Sequence, residues 1–388
     1  MDIAVIAHKL HRAHVLKIFK FHPEFKNRIN CFVDWEERDT EDGEDEKKIP
    51  IISLNALSQY KYDIILIAVP WPGRVNQLFL KLHDMKITGE VYAIRPTMIE
   101  SQRDFINSGK FDDSIVDKIP MSDERPFLSL LETHVCDDCN LNCKACTHFA
   151  PFVKERKKAD IEKFESSLHK ASELFSGIGL VSILGGEALL EPELCIKMLQ
   201  LSRKYFPKSG VMLTTNGLLM PKMKASFWES IKENNCIVNV TPYPPTVKMI
   251  PTILDILCKY DIKYDPRLET SEIKTFAKYM SLNDIYDAHW NNEMCAAAGC
   301  YQYQDGYIGK CPTGMYIDFM ADSLGMSPLD LKTKDAVNIL EADDGFDVLR
   351  KLCAPSDMCR KCAKKLRKDV CWERIDKTPD PDDWLIRS

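Results

Sequence analysis

Residues 136–149 read Cys136-Asp137-Asp138-Cys139-Asn140-Leu141-Asn142-Cys143-Lys144-Ala145-Cys146-Thr147-His148-Phe149. Four thiols within eleven residues form a soft-ligand set suited to a soft metal or a metal cluster. A structural zinc site takes two cysteine pairs separated by a spacer of about 12–20 residues. Here only three residues separate Cys139 from Cys143. Bacterial ferredoxins use Cys-x2-Cys-x2-Cys-x3-Cys followed by proline, which does not fit either. What remains is Cys-x3-Cys-x2-Cys at Cys139, Cys143 and Cys146, in a loop directly after the apolar strand pattern at 128–133. The triplet is complete without Cys136, a spare thiol.

This triplet resembles the cluster motif of the radical S-adenosylmethionine (SAM) superfamily, and the run Cys139-Asn140-Leu141-Asn142-Cys143-Lys144-Ala145-Cys146 is typical of it. The resemblance implies a [4Fe-4S] cluster held by three thiolates, its fourth iron open to the amino and carboxylate groups of SAM. Reductive cleavage of SAM would then release a 5′-deoxyadenosyl radical, with the protein supplying ligation, orientation and exclusion of water. One departure is Ala145, where the family often carries an aromatic residue against the cofactor; Phe149 is the residue expected to cover that surface.

Later motifs supply context. A strand ends Ile183-Leu184-Gly185-Gly186-Glu187. Glycines at a strand C-terminus admit a close backbone approach, and such ends are where α/β folds place their sites. The resemblance assigns Gly185, Gly186 and Glu187 to the SAM amino group. The next strand ends Thr214-Thr215-Asn216-Gly217, where Asn216 serves either turn chemistry or a ribose hydroxyl. The one after ends Asn239-Val240-Thr241-Pro242-Tyr243. Thr241 stands where the family has a polar contact to SAM, and Tyr243 either faces substrate or packs. The resemblance covers roughly 127–265.

A second group of cysteines follows at 295, 300, 311, 353, 359, 362 and 371. Gly306 and Cys311 make Gly-x4-Cys, and Cys359 and Cys362 make Cys-x2-Cys. The pattern resembles the auxiliary-cluster extension called SPASM, or its shortened form, twitch. It implies one auxiliary [4Fe-4S] cluster on Cys311, Cys359, Cys362 and either Cys295 or Cys300. Zinc on the same four thiolates is the rival. Cys353 and Cys371 are peripheral, and Cys31, Cys195, Cys236 and Cys258 read as buried small hydrophobes.

Outward from these clusters, the 388-residue chain is 45% hydrophobic and 28% charged with net charge -6, a globular composition that does not advertise nucleic-acid binding. Its start, Met1-Asp2-Ile3-Ala4-Val5-Ile6, reads as a first strand and not a signal peptide. No apolar run approaches the ~18 residues of a membrane span, so a cytoplasmic location is expected. Short β-branched runs at 3–7, 29–33, 64–69 and 91–94 alternate with helical patterns at 11–21 and 74–83, which predicts a Rossmann-like domain over 1–105. The turn after its first strand, Ala7-His8-Lys9-Leu10-His11-Arg12, lacks the glycines of a dinucleotide site. A docking, oligomerisation or modified substrate-binding module is therefore expected there. The acidic run 36–46 reads as a solvated loop.

A linker is expected at 106–126, then a partial (β/α)6, TIM-like barrel over 127–290, then a Cys-rich region over 291–388. The barrel reading rests on strands near 180–184, 211–215 and 237–240 alternating with helices near 161–175, 192–205 and 222–234. The expected function is a radical SAM enzyme of oxidoreductase, isomerase or lyase class. It would abstract hydrogen from a small polar substrate, a carbohydrate or nucleotide-linked sugar, in dehydrogenation, epimerisation or dehydration. Flavodoxin or ferredoxin would supply the electron. The alternatives are a SPASM-type peptide maturase and a non-catalytic iron–sulfur or zinc scaffold.

Overall fold

A computed structural model describes residues 2–7, 12, 15–16, 28–35, 43–44, 49–69, 72–87, 89–94, 116–121, 124–295, 297–328 and 335–387. The chain divides into two units, Met1–Ser129 and Leu130–Ser388.

The first unit carries a seven-stranded sheet: β1 (Ile3–Ile6), β2 (Ile29–Asp34), β3 (Gly43–Glu44), β4 (Pro50–Ser53), β5 (Ile64–Ile67), β6 (Glu90–Ile94) and β7 (Val116–Ile119), in the order β3-β4-β2-β1-β5-β6-β7. The central five, β4-β2-β1-β5-β6, are parallel, and β3 and β7 add antiparallel edges. Strand order reverses at β1. Parallel strands covered on both faces must be apolar throughout, which is why β1 and β5 are buried at every position. The helix Pro72–Asp84 is the one expected near 74–83. The expected helix at 11–21 and the acidic run at 36–46 fall mostly outside the described residues. Strand β7 lies inside the stretch read as linker.

The second unit is built on β8 (Phe127–His134), β9 (Gly177–Leu184), β10 (Gly210–Thr215), β11 (Ile237–Val240), β13 (Gln302–Gln304), β14 (Tyr307–Gly309) and β15 (Val337–Asn338), in the order β11-β10-β9-β8-β13-β14-β15. Strand β10 runs parallel to β9 and β11, and β13 parallel to β8. Two further strands, β12 (Thr275–Lys278) and β16 (Lys368–Cys371), form a separate antiparallel ribbon.

The helices obey their sequence patterns. Ile161–Leu174 starts at Asp160, whose carboxylate accepts from Glu162 N and Lys163 N, and it buries Phe164, Leu168, Ala171 and Leu174 on one stripe. Pro192–Tyr205 opens on a proline that needs no N–H partner and packs on β9 and β10. These helices cover the face bearing Val181, Ile183, Val211, Leu213 and Val238, all fully buried.

Of the expected partial (β/α)6 barrel, the described residues show the mixed α/β sheet with β8 to β11 from that series, plus a single parallel bridge from Val238 to Tyr264. Pro242, Pro244 and Pro245 directly after β11 remove ladder donors and turn the chain into the short helix Pro244–Val247. One expectation is corrected: Cys258 is exposed, not buried. In the helix Ile250–Lys259 the buried stripe is Ile253 and Leu257, and Cys258 is one residue, about 100°, off it.

Candidate active site and cysteine centres

The cysteine loop leaves β8 at its C-terminal end, where Val135 N still donates to Leu184 O at 2.7 Å. Asn142, Ala145 and Phe149 then adopt left-handed backbone, with φ of 48°, 56° and 54°. Alanine and phenylalanine rarely do so. The first two of these reversals immediately precede Cys143 and Cys146 and wind the loop around its own thiols.

The three thiols interact electrostatically: Cys146 raises the pKa of both Cys139 and Cys143, and Cys139 adds to Cys143. Burial dominates in each case, pushing Cys139 up to about 12 and raising Cys143 and Cys146. Each thiol also receives N–H donors. Leu141 N reaches Cys139 Sγ at 3.4 Å, and the indole Nε1 of Trp372 reaches Cys143 Sγ at 3.1 Å. The backbone of His148, Ala150 and Phe149 serves Cys146. Desolvated thiols that stay protonated on their own, yet have donors aimed at sulfur, suit a soft cationic centre that takes the place of the protons. Cys136 is apart from the triplet: its thiol is buried against Glu187 O at 3.4 Å, and its electrostatic neighbours are Asp138, Glu191 and Arg156.

Gly185 and Gly186 are required by the protein's own loop. A Cβ on Gly185 would come within 2.6 Å of Cys136 O, and one on Gly186 within 2.2 Å of Asp138 O. Gly186 N and Glu187 N donate to Cys136 O and Asp138 O, both at 2.9 Å, locking the cysteine loop onto the end of β9. The Glu187 side chain is 1% exposed, so its partners decide its role. Oε1 accepts from Thr215 Oγ1 at 2.6 Å and Leu189 N at 2.9 Å, and Oε2 accepts from Asn216 N at 2.8 Å. Burial raises its pKa while these three donors pull it back.

Asn216 donates through Nδ2 to Asn140 Oδ1 at 2.7 Å, lies 3.8 Å from Cys139 Sγ, and accepts from Leu218 N in an Asx turn. Thr241 N donates to Thr215 O. Tyr243 stacks on Phe276 with ring centroids 5.9 Å apart. Burial raises its pKa, followed by Cys143, Cys146, Cys139 and Glu187, so the phenol shares the space of the triplet. Phe149 is wholly buried among Phe152, Met280 and Tyr316. It also borders a small cavity that Ala145 and Thr147 line from the loop, and Ala277, Tyr279 and Thr313 from elsewhere.

Sequence reasoning missed a layered sheet face. Leu130, Leu180 and Met212 cluster with Ile237 and Cys300. Two residues on, along the same five strands, stand Glu132, Ser182, Thr214, Asn239 and Gln302, which the two-residue period puts on the same face. They are joined to one another: Gln302 Nε2 donates to Glu132 Oε2 at 2.6 Å, Ser182 Oγ meets Thr214 Oγ1 at 3.2 Å, and Asn239 Nδ2 donates to Thr214 Oγ1 at 3.4 Å. Glu132, half-buried, has its pKa raised to about 7 by burial, with the Gln302 amide pulling the other way. In the run Ile237-Val238-Asn239-Val240 only Asn239 is polar, so no alternation along the strand marks the row.

Also missed was a chain of imidazoles. His134 Nδ1 bonds Asp137 Oδ1 at 2.8 Å, His134 Nε2 bonds His148 Nδ1 at 2.7 Å, and His134 stacks on Tyr316 at 4.0 Å. A carboxylate only accepts, so His134 Nδ1 carries the proton. With both rings neutral, His148 Nδ1 donates and its Nε2 is left as an acceptor. Burial, then the neighbouring His134, hold His148 well below the usual imidazole range.

Of the later cysteines, Cys295, Cys311, Cys359 and Cys362 interact electrostatically as one group. Cys300 packs against Leu130, Leu180 and Met212. The helix Ala288–Glu293 delivers Cys295, and its Asn291 Nδ2 donates to Cys359 O at 2.8 Å and Cys362 O at 2.7 Å. Cys311 Sγ accepts from Gly314 N at 3.4 Å, while burial pushes its thiol up to about 12. Buried Lys310 donates to the carbonyls of Leu352, Cys353 and Ala354, capping the helix Gly345–Cys353. Cys353 meets the Tyr301 hydroxyl, and Cys371 is exposed. Among the described residues no three His, Cys, Asp or Glu side chains close on a single metal ion, and no helix is long and apolar enough to cross a membrane.

No protein-family model matches the chain, and no curated protein matches it. Among solved structures, anSMEcpe with bound AdoMet is similar at 23% identity over 36% of this chain and 42% of that one, with a TM-score of 0.30. The match thus spans less than half of anSMEcpe. BtrN in complex with AdoMet and 2-DOIA is similar at 18% identity over 61% of this chain and 94% of that one, with a TM-score of 0.37.

Proposed function

We propose that this chain is a radical SAM enzyme acting on a small polar substrate, with an auxiliary cysteine-held cluster. One observation carries the reading: Cys139, Cys143 and Cys146 share one loop at the C-terminal end of a strand, desolvated, with N–H donors at their sulfurs. These three residues would hold a [4Fe-4S] cluster, which when bound supplies the electron that cleaves SAM.

The remaining roles belong to the chain's own groups. Glu187 positions Thr215 and Asn216 with its carboxylate. Gly185 and Gly186 let the cysteine loop lie on β9. Thr241 and Tyr243 line the approach from β11, and His148 Nε2 presents a hydrogen-bond acceptor two residues beyond Cys146. The row Glu132, Ser182, Thr214, Asn239 and Gln302 lines one sheet face with hydroxyl, amide and carboxyl groups, of which Glu132, Thr214 and Asn239 are partly exposed; this favours a polyhydroxylated substrate over a peptide. A carbohydrate or nucleotide-linked sugar fits, with oxidation of an alcohol carbon as the first reaction to test. Cys295, Cys311, Cys359 and Cys362 are the auxiliary ligand set, and residues 1–105 a Rossmann-like module. There the carboxylate ending β2, Asp34, is taken by Arg12 at 2.6 Å.

The test is iron and sulfide content after anaerobic reconstitution, with 5′-deoxyadenosine measured on the same sample under reducing conditions. About eight irons per chain, as two four-iron clusters hold, with product formed, is the expected result. About four irons plus one zinc would keep the enzyme and turn the second centre into a structural clasp. Full iron without SAM cleavage would leave a scaffold and overturn the reading.

A further inference from the structure

We infer that Trp372 tunes the reduction potential of the cluster on Cys139, Cys143 and Cys146, by donating its indole N–H to the Cys143 sulfur at 3.1 Å. The inference rests on the radical SAM reading and goes beyond it, because the donor comes from a segment 229 residues downstream, outside the motif.

Its placement is built. Strand β16 ends at Cys371, and Trp372 N is fixed by Lys274 O at 2.7 Å beside β12. The chain then pairs with the cysteine loop itself. Cys143 and Arg374 form an antiparallel bridge, Lys144 N donates to Glu373 O, and Ile375 N donates to Asn142 O, the last two at 2.9 Å. Lys144 Nζ pairs with Asp383 at 2.8 Å, and Trp384 Nε1 donates to Cys146 O at 2.7 Å. Two tryptophans of the tail therefore grip the loop. Only Trp372 reaches a ligand sulfur among the tail's described hydrogen bonds; Trp384 reaches a backbone carbonyl.

A hydrogen bond to a ligand thiolate withdraws electron density from sulfur. The reduced cluster carries one more negative charge than the oxidised one, so the bond favours reduction and raises the potential. Trp372 is thus a positioning and tuning residue that acts through the Cys143 sulfur.

The test is Trp372→Phe in the reconstituted full chain, which keeps the ring and removes the N–H. Dithionite poised through viologen dyes supplies the single electron. EPR follows the cluster signal that changes when SAM is added. Expected is full iron content with the reduced-to-oxidised ratio at a fixed poise lowered about three- to tenfold; tenfold is about 59 mV for a one-electron couple. Trp384→Phe, losing a comparable N–H to a carbonyl, leaves that ratio unchanged. An unchanged ratio in Trp372→Phe at full iron overturns the inference, as does an equal shift in both variants. Should Trp372→Phe lose its iron, wild-type protein labelled with 15N-tryptophan decides by pulsed EPR. A 15N coupling to the reduced cluster is expected, and its absence overturns the assignment. Failure of wild-type protein to assemble any SAM-responsive cluster would instead sink the underlying functional reading.

Discussion

Glu132→Gln isolates a carboxyl that the fold burdens. Burial raises its pKa from 4.5 to about 7, and its hydrogen-bond partner is the neutral Gln302 amide. The folded state therefore binds more protons than the unfolded state between those values, and stability falls as pH rises through that window. The cost is absent below pH ~4.5 and complete above pH ~7. A shift of about 2.5 units at 1.36 kcal/mol each gives about 3 kcal/mol at most. Glutamine keeps an oxygen for Gln302 Nε2 and carries no charge, so the variant matches wild type near pH 4.5 and gains on it toward pH 8. At about 2–4 °C per kcal/mol for a unit of this size, the melting difference should open to roughly 6–12 °C. Thermal unfolding of both proteins by circular dichroism at half-unit pH steps measures it. Melting curves that keep a constant separation from pH 4.5 to 8 would refute the reasoning, because a group that titrates normally gives no such divergence.

Cys143→Ala should abolish 5′-deoxyadenosine formation while about four irons remain on the second cysteine group; wild-type turnover in this variant would remove Cys139, Cys143 and Cys146 from the site. Glu187→Ala strands three buried donors, Thr215 Oγ1, Leu189 N and Asn216 N, at about 1–3 kcal/mol each. Urea unfolding should show a loss of about 3 kcal/mol or more together with reduced iron, whereas an intact midpoint with weakened SAM binding would make Glu187 a direct SAM contact. Gly186→Ala drives a Cβ to within 2.2 Å of Asp138 O, so iron retention should fall sharply; full retention would show that the loop is not seated on β9 as described.

Much of this architecture was legible along the chain, because a local rule governs it. Residues such as Ile3, Val5 and Ile65 spell buried strands through β-branching, and Asp160 and Pro192 mark helix starts whatever surrounds them. The triplet Cys139, Cys143 and Cys146 announces soft-ligand chemistry by spacing alone. The choice between Cys295 and Cys300 was not legible, since both precede Cys311 at workable distances. Packing supports the proposed choice of Cys295: the turn after Ala288–Glu293 carries it into the electrostatic neighbourhood of Cys362, while Cys300 packs on the apolar layer beside Leu130. The neighbour of Gly185-Gly186-Glu187 was hidden for the same reason. Glycine signals close approach but not by what, and the tertiary structure supplies the cysteine loop's own backbone. Trp372 and the Glu132 row carry no local signature at all. A donor 229 residues from its sulfur, and a layer assembled one residue per strand, exist only once the sheet and tail have folded. The sequence by itself determined the cysteine spacing and the main buried strands; the tertiary structure alone decided which groups face each other, because hydrogen bonds and burial depend on distance in space and not along the chain.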